Sequence, residues 1–439
     1  MPGRVHPFYS ALIPLGLAAA LPVWLIRSLW RPDLRAHLPE RFGLLPEATR
    51  ARLAALPVRP LWTHAASVGE TMVARRLVAA LRGAGYRAPH VISSTTAAGR
   101  SLAASQESGA AAIFYLPIDW TPCIGRTLRQ VNPEALLCVE TEIWPALIAE
   151  CNRGGIPVLI ASGRISERSR RRYARFAPFF APAFSCISLA CMQTEADADR
   201  AVSLGLPADR VAVTGNVKFD TEPPSPSAEL MALLDVRPGG AGQVVVAGST
   251  SPGEEAILID TIEALRHLNH GNLTLILAPR HRERFDDVAA LLDRRGVAWR
   301  RRSAMTPWPA VPDRPGPRVI LLDSIGELAS VYGLADVAFV GGSLVPRGGQ
   351  NLLEPAALGV PVVFGPRVEN FQSVAEALVA AGAGFQVRDT RELAQRLGQL
   401  LSDPGSRSAA GKAGRSLVES HRGATRRTIE RLIPALGTA

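Results

Sequence analysis

Past residue 30, apolar positions come in runs of strand length, separated by segments long and amphipathic enough for helices. In the first half the runs are Leu61 to His64, Val91 to Ser94, Ala111 to Leu116, Ala135 to Val139, Val158 to Ala161 and Val211 to Thr214. Strands that are apolar throughout, rather than at every second position, belong to parallel sheets covered by helices on both faces. The pattern breaks at residues 221–242, TEPPSPSAELMALLDVRPGGAG, the densest proline, glycine and serine cluster inside the chain. It resumes at Gln243 to Ala247, Leu273 to Leu277, Val319 to Leu322, Val337 to Val340 and Val360 to Phe364. Such a break marks an interdomain linker. The expected architecture is α/β, with two doubly wound Rossmann-like domains facing a cleft onto which the carboxyl ends of both sheets open. At 439 residues the chain exceeds the size at which one core usually divides.

The N-terminus departs from this pattern. Phe8 to Ile26 holds no charged residue. Nineteen residues at about 1.5 Å each span roughly 28 Å, close to a bilayer core. Arg27, Arg31 and Arg35 follow it and Arg4 alone precedes it, a bias that keeps the long C-terminal part in the cytoplasm. A transmembrane anchor over residues 1–30 is the expectation, with a cleaved signal peptide as the competitor. Pro22 and Trp24 make a poor cleavage site. Net charge is +10, yet only Lys218 and Lys412 are lysines. That arginine bias is compositional and says little about partners. Five scattered cysteines without a CxxC pair argue against a disulfide framework or a zinc site and fit a reducing compartment.

Polar groups cluster just past the strand ends. Ser67 and Glu70 in LWTHAASVGE have the spacing of a capping box, and Glu70 is equally a carboxylate available as a general base. Ser94, Thr95, Thr96, Gly99 and Arg100 form a second polar turn, and Glu140, Thr141, Glu142, Trp144 and Pro145 a third. Arg164, Arg168, Arg170, Arg171 and Arg172 follow another strand. They form either a solvated helix face or, near a membrane, a seat for a phosphorylated lipid at about 1 kcal/mol per basic residue. Arg164, closest to the strand, is the better candidate for a substrate contact. Lys218, in GNVKFD, occupies a turn before the linker in a chain depleted of lysine, which points to a need for a compact ammonium.

The second half offers anion sites. Ser249 and Thr250, ahead of Pro252 at a helix start, read as a phosphate cradle, and Arg280 can grip a phosphate bidentately. His281 beside it reads as structural. Residues 335–365, ADVAFVGGSLVPRGGQNLLEPAALGVPVVFG, predict a strand, a glycine loop, a helix and a second strand. Gly341, Gly342 and Gly349 would let backbone N–H groups approach a phosphate, and Glu354 suits two vicinal ribose hydroxyls. Asp197 and Asp199 form a DxD pair in a stretch that reads as an exposed helix face. No metal requirement and no cofactor are expected.

The set HAASVGE, STTAAGR, ETEIWP, ASGRISERS, GNVKFD, APRHRERF and GGSLVPRGGQNLLEPAALG, in this order from about Arg41 to Arg422, resembles the 3-deoxy-D-manno-octulosonic acid (Kdo) transferases of Gram-negative bacteria. The resemblance implies a GT-B fold and an inverting, metal-independent glycosyltransferase of lipopolysaccharide biosynthesis at the inner membrane. Its donor would be CMP-Kdo and its acceptor a lipid A precursor, with no nucleic acid partner. It implies an acceptor-binding domain over 31–222 with the catalytic base, a linker over 223–242, and a CMP-sugar domain over 243–439. By it, Glu70 is the base and Glu140 and Lys218 stabilise the transition state. Pro279, Arg280, Ile325, Gly326, Glu327, Asn351, Leu352, Leu353 and Glu354 hold CMP. Ser67, Gly69, Arg100, Arg164, Ser249, Thr250, Gly341, Gly342 and Gly349 remain candidate donor or acceptor contacts. One position departs from the family: Gln350 stands where a histidine is usual, and glutamine cannot titrate. Two other classes stay open. One is a related GT-B enzyme using a UDP-sugar, as a lipid glycosyltransferase or an epimerase; the other is a non-catalytic membrane-tethered nucleotide-binding protein.

Overall fold

The structure, a computed structural model, describes residues 9–17, 19, 37–104, 109–140, 142–220, 242–267, 272–304 and 318–437. The chain forms two compact units, residues 1–220 with 423–439, and residues 221–422. The first is built on a parallel sheet of seven strands: β1 Leu61–His64, β2 His90–Ser94, β3 Ala112–Tyr115, β4 Ala135–Val139, β5 Val158–Gly163, β6 Leu189–Met192 and β7 Val211–Val213. Their order is β3-β2-β1-β4-β5-β6-β7, so the direction of winding reverses between β1 and β4. That is the topological switch point, where loops at the strands' carboxyl ends diverge and leave room for a ligand.

Successive residues of the central strands feed opposite faces. Trp62, Leu136 and Cys138 join one buried cluster, with Phe114, Ile124 and Leu147. Leu61, Ala135, Leu137 and Val139 join another, with Leu77 and Leu81 of the helix Val68–Gly83. A sheet buried on both faces accounts for the unbroken apolar runs in the sequence. β6, LACM, lies at a position the hydrophobic pattern does not single out, because it merges with the apolar stretch of the helix Ala177–Ser185 before it.

The second unit repeats the plan with β8 Gln243–Thr250, β9 Leu273–Pro279, β10 Ala298–Arg301, β11 Arg318–Leu321, β12 Val337–Val340, β13 Val362–Phe364 and β14 Gly384–Gln386, in the order β10-β11-β9-β8-β12-β13-β14. All pairings are parallel, and the winding reverses between β8 and β12. The edge strands β10 (AWRR) and β14 (GFQ) are not apolar runs, since an edge is not enclosed on both sides. The proposed linker 223–242 lies outside the described residues except for Gly242.

The expected C-terminal boundary is corrected. Residues 423–437 belong to the first unit, not to the second. The helix Ala424–Leu436 lays Ala424, Ile429 and Leu432 into the cluster around Leu77 and Leu81. Both Asp220 oxygens accept from its start, at 2.6 Å from the Gly423 N–H and 2.5 Å from the Thr425 N–H. Arg427 donates to the Thr214 carbonyl at 2.9 Å. Burying the apolar face of this helix outweighs its place in the sequence.

Of the expected transmembrane run, Phe8 to Ile26, residues 8, 18 and 20–26 lie outside the described residues. Among the described residues no helix is long and apolar enough to cross a membrane. Residues 9–17 are helical, with Leu12 and Leu15 exposed. Tyr9 donates to Asp119 at 2.7 Å and its ring lies 5.9 Å from that of Phe179. Asp119 also accepts from the N–H groups of Ala146 and Leu147, at 3.0 and 2.8 Å, and so caps the helix Pro145–Arg153.

Candidate active site

The loops at the β1 and β4 ends bring three carboxylates together. Ser67 is the N-cap of the helix Val68–Gly83 and accepts from the Glu70 N–H at 3.3 Å. The Glu70 carboxylate reaches back to the Ser67 hydroxyl at 2.8 Å and to the Ala66 N–H at 2.7 Å. The capping-box spacing therefore forms as a real contact, and it fixes the Glu70 rotamer rather than excluding a chemical role. Gly69 is buried in the same first turn. Only 8% of Glu70 is exposed. Burial, then the charges of Glu140 and Glu142, push its carboxyl up to about 7, against the pull of its two hydrogen bonds. A base poised near neutral pH is matched to proton abstraction.

Glu140 follows β4 with φ +59°, left-handed backbone that costs a non-glycine residue roughly 1 kcal/mol or more. The conformation turns the side chain to Lys218 Nζ, 2.5 Å away. Lys218 comes from the 3-10 turn Val217–Phe219, where Asn216 accepts from its N–H at 3.0 Å and Arg76 donates to the Val217 carbonyl at 3.0 Å. Ser162, also left-handed with φ +55°, receives the Val217 N–H at 3.4 Å. Three strand ends thus converge on one ammonium and carboxylate pair.

Two further side chains join the site: Glu142, read in the sequence only as part of the polar turn after β4, and His64, which the sequence does not single out. Glu142 accepts from the Trp144 indole N–H at 2.9 Å and lies 3.5 Å from His64 Nε2. His64 is fully buried at the end of β1, with Nδ1 2.9 Å from the Ser93 hydroxyl. Their signal is the flanking HxxSVGE and ETE spacing, which places both at the ends of the same adjacent strands, β1 and β4.

Other candidates lie farther out. Arg100 pairs with buried Glu40 at 3.1 Å and stacks 4.8 Å from the Tyr115 ring centroid. Arg41 lies 4.5 Å from the same centroid and donates to the Thr95 carbonyl at 2.8 Å. Arg164 is half-buried past β5. Arg170 and Arg171 in the helix Glu167–Arg175 are engaged with Glu167, at 2.7 and 3.1 Å. Asp197 is not on an exposed face, as expected for the DxD pair. It is buried, accepting from the Ile165 N–H at 2.9 Å and the Thr194 hydroxyl at 2.6 Å. The cause is its place three residues inside the Thr194 N-cap.

In the second unit, part of the expected phosphate seat is already filled. Glu254 is fully buried and accepts from the N–H groups of Ser251, Gly342, Ser343 and Leu344, at 2.8, 2.7, 3.0 and 2.9 Å. An internal carboxylate thus holds the donors that Gly342 and its neighbours were expected to offer a nucleotide. Gly341 is glycine for close packing, since a Cβ there would lie 2.6 Å from Thr250 Cα. Thr250 is also buried and donates to Glu255 at 2.8 Å, which Arg284 pairs at 2.6 Å. The cradle read at Thr250 is therefore corrected to a structural joint. Ser249, half-buried with φ +53°, keeps its candidacy. Replacing Glu254 by Ala leaves three buried N–H groups and the half-buried one of Leu344 without this acceptor, at about 1–3 kcal/mol for each buried group before relaxation. Urea denaturation should show a loss of at least about 3 kcal/mol; parental stability in this variant would contradict the assignment.

Of the remaining donor candidates, Arg280, Asn351 and Glu354 come together. Exposed Arg280, after buried Pro279 at the β9 end, acts on Glu354, whose carboxyl burial pushes up while Asn351 and Arg280 pull it down. Asn351 donates to Glu354 at 3.0 Å and accepts from the Leu353 N–H at 3.1 Å. Leu352 and Leu353, expected among the CMP contacts, are fully buried, backbone and side chain alike. Ile325 is 70% exposed beside Gly326, whose φ is +91°. Glu327 is bound within its own turn by Ser324 and by Arg302 at 2.8 Å. Gly348 and Gly349 both have positive φ, and Gln350 stands against Gly342.

Comparison with known proteins adds the following. Residues 36–221 match the family model described as 3-Deoxy-D-manno-octulosonic-acid transferase (kdotransferase). A 3-deoxy-D-manno-octulosonic acid transferase of Bordetella pertussis is 37% identical over 436 residues, covering 96% of this chain and 97% of its own. One from Haemophilus influenzae is 34% identical over 441 residues, 98% of each chain. Among solved structures, the S. aureus MnaA-UDP co-structure aligns with TM-score 0.53 at 13% identity, over 86% of this chain and 97% of that one. That likeness is one of fold, and the fold is a GT-B-like pair of parallel α/β units.

Proposed function

Because the chain belongs to the 3-deoxy-D-manno-octulosonic acid (Kdo) transferase family, we propose that it moves Kdo from CMP-Kdo to a hydroxyl of a lipid A precursor, with Glu70 as the base. The observation that carries the catalytic part is a buried carboxyl pushed up to about 7 beside the Glu140 and Lys218 pair. Glu70 takes the acceptor hydroxyl proton as that oxygen bonds to the anomeric carbon of Kdo. The bond from that carbon to the phosphate oxygen breaks, and its electron pair leaves with CMP. Attack on the face opposite the leaving group inverts the configuration. Glu140 answers the positive charge that develops on the sugar, and Lys218 answers negative charge. Because CMP leaves as a phosphate monoester anion, fixed cations such as Arg280 serve in place of a metal.

Arg280, Glu354 and Asn351, with the turn Ile325 to Glu327, are the proposed CMP contacts. Arg100 and Arg164 are the proposed acceptor contacts. An inner-membrane site with the catalytic units on the cytoplasmic side is proposed from the uncharged run Phe8 to Ile26 and the arginines after it. The test is incubation of the full chain, in membranes, with CMP-Kdo and a lipid A precursor, followed by mass spectrometry. A product heavier by Kdo units, with competition by CMP and none by UDP, is expected. No such product, or competition by UDP alone, sinks the proposal.

A further inference from the structure

Lys218 is carried by a turn with little structure of its own. The 3-10 turn Val217–Phe219 has three residues, closed by bonds from the Phe219 N–H to the Asn216 carbonyl and from the Asp220 N–H to the Val217 carbonyl, at 3.0 and 3.2 Å. Bonds of this kind are poorly aligned and sustain only short runs, so the turn takes its place from what grips it. Yet the ammonium it carries meets Glu140 at 2.5 Å. In an active site, a misplacement of about 1 Å can cost roughly 100-fold in rate.

Beside the bonds of Val217 to Ser162 and Arg76, the last helix, Ala424–Leu436, grips the turn at both ends. At the entry, Arg427 donates to the Thr214 carbonyl at 2.9 Å, and the Thr428 and Thr214 hydroxyls lie 2.9 Å apart. Gly215 lets the helix come close, since a Cβ there would lie 3.2 Å from the Ala424 Cβ. Val217 shares the buried cluster of Ala424, Ile429 and Leu432. At the exit, two residues past Lys218, the Asp220 carboxylate accepts from the Gly423 and Thr425 N–H groups at 2.6 and 2.5 Å, one oxygen to each. The helix has no side-chain cap from its own N-cap residue, which is Gly423. Asp220 supplies the cap from 203 residues away. A carboxylate at the positive end of a helix is held by charge as well as by its bonds. Phe219, between Lys218 and Asp220, is buried, so the three residues are fixed as one piece.

We propose that Asp220 is a positioning residue for the transfer reaction: by tying the exit of the turn to the start of the last helix, it holds the Lys218 ammonium at Glu140. This rests on Lys218 acting in the transfer. Asp220 works through Lys218, and so governs turnover rather than donor binding. The proposed CMP contacts Arg280, Asn351 and Glu354 belong to the other unit.

The test is a double-substitution cycle at Asp220 and Lys218 in the full chain, with CMP-Kdo and a lipid A precursor. Asp220→Asn turns an amide N–H2 toward one of the two N–H donors. Its kcat should fall about ten-fold, while the KM for CMP-Kdo stays within about two-fold. In the Lys218→Met background the same substitution should change kcat by less than about two-fold, because no ammonium is left to displace. Asp220→Ser, which keeps one acceptor, should show the same pattern and replaces the asparagine variant should that one not fold. Ile429→Val loosens the same helix without touching Asp220, and its kcat should stay within about two-fold of the parent. Parental kcat in the Asp220 variants, an equal loss in the Lys218→Met background, or a ten-fold loss in Ile429→Val overturns the proposal. Parental activity in Lys218→Met would instead remove its premise, so the two failures are separable.

Discussion

Glu70→Gln should lower the rate of Kdo transfer by about 100- to 10,000-fold while CMP affinity changes less than about two-fold. The glutamine keeps the shape and one acceptor for the Ser67 hydroxyl, so the helix cap survives, but it cannot take a proton. In the parent, rate should fall as pH drops through about 7, because the carboxyl pushed up to about 7 must be ionised to act. The same shift bears on stability with a definite sign. A carboxyl whose folded pKa exceeds its unfolded value of 4.5 contributes stability below that value and loses it as pH rises through about 7. Above that pH the parent bears a burden of at most about 3 kcal/mol. Glu70→Gln removes it at the cost of one hydrogen bond to the Ala66 N–H, worth about 1 kcal/mol. Thermal denaturation at pH 8 should find the inactive variant more stable than the parent. An active variant, or one that binds CMP poorly, would end the assignment of Glu70 as base.

The second large effect is expected at Lys218. Lys218→Met fills a similar volume without the charge, and transfer should drop by about 100- to 1,000-fold, the scale for losing one preorganised electrostatic contact. Lys218→Arg should not rescue it, since a planar fork does not replace a compact ammonium 2.5 Å from Glu140 in a site only 11% exposed at the lysine. A second readout is the pH profile: without the ammonium, the Glu140 charge that already pushes Glu70 up is no longer opposed, and the acid limb should move to higher pH. A limb that stays put, with transfer at parental levels, would remove Lys218 from the mechanism.

Much of this geometry was legible in the sequence because the candidate catalytic side chains sit one turn past strands with strong signals. β1, β4 and β12 have the ends that their apolar runs predict. Ser67, Glu70 and Glu140 follow the first two directly. Contacts across long separations were not legible. The pairing of Lys218 with Glu140 spans 78 residues, and that of Glu254 with Gly342 spans 88. A glycine-rich loop reads the same whether its N–H groups await a phosphate or already hold a carboxylate. Asp197 was misjudged for a related reason: an acid in a helix's first turn reads as solvated unless the partner that buries it, here the Ile165 N–H, is known. His64 ends an apolar run as an ordinary core residue would. Only its 3.5 Å distance to Glu142 brings it into the site.

The return of the last helix to the first unit governs how the protein can be made. A ribosome releases the chain from its N-terminus, and domains ordinarily mature in that order. Here the hydrophobic surface of Leu77 and Leu81 waits for Ile429 and Leu432, which emerge only after residues 221–422 have all been synthesised. The unit that begins first is finished last. During translation the first unit stays open along this face, while the second has all of its chain once Arg422 is made. A stop codon after Arg422 therefore leaves the second unit whole and strips the first of its last helix.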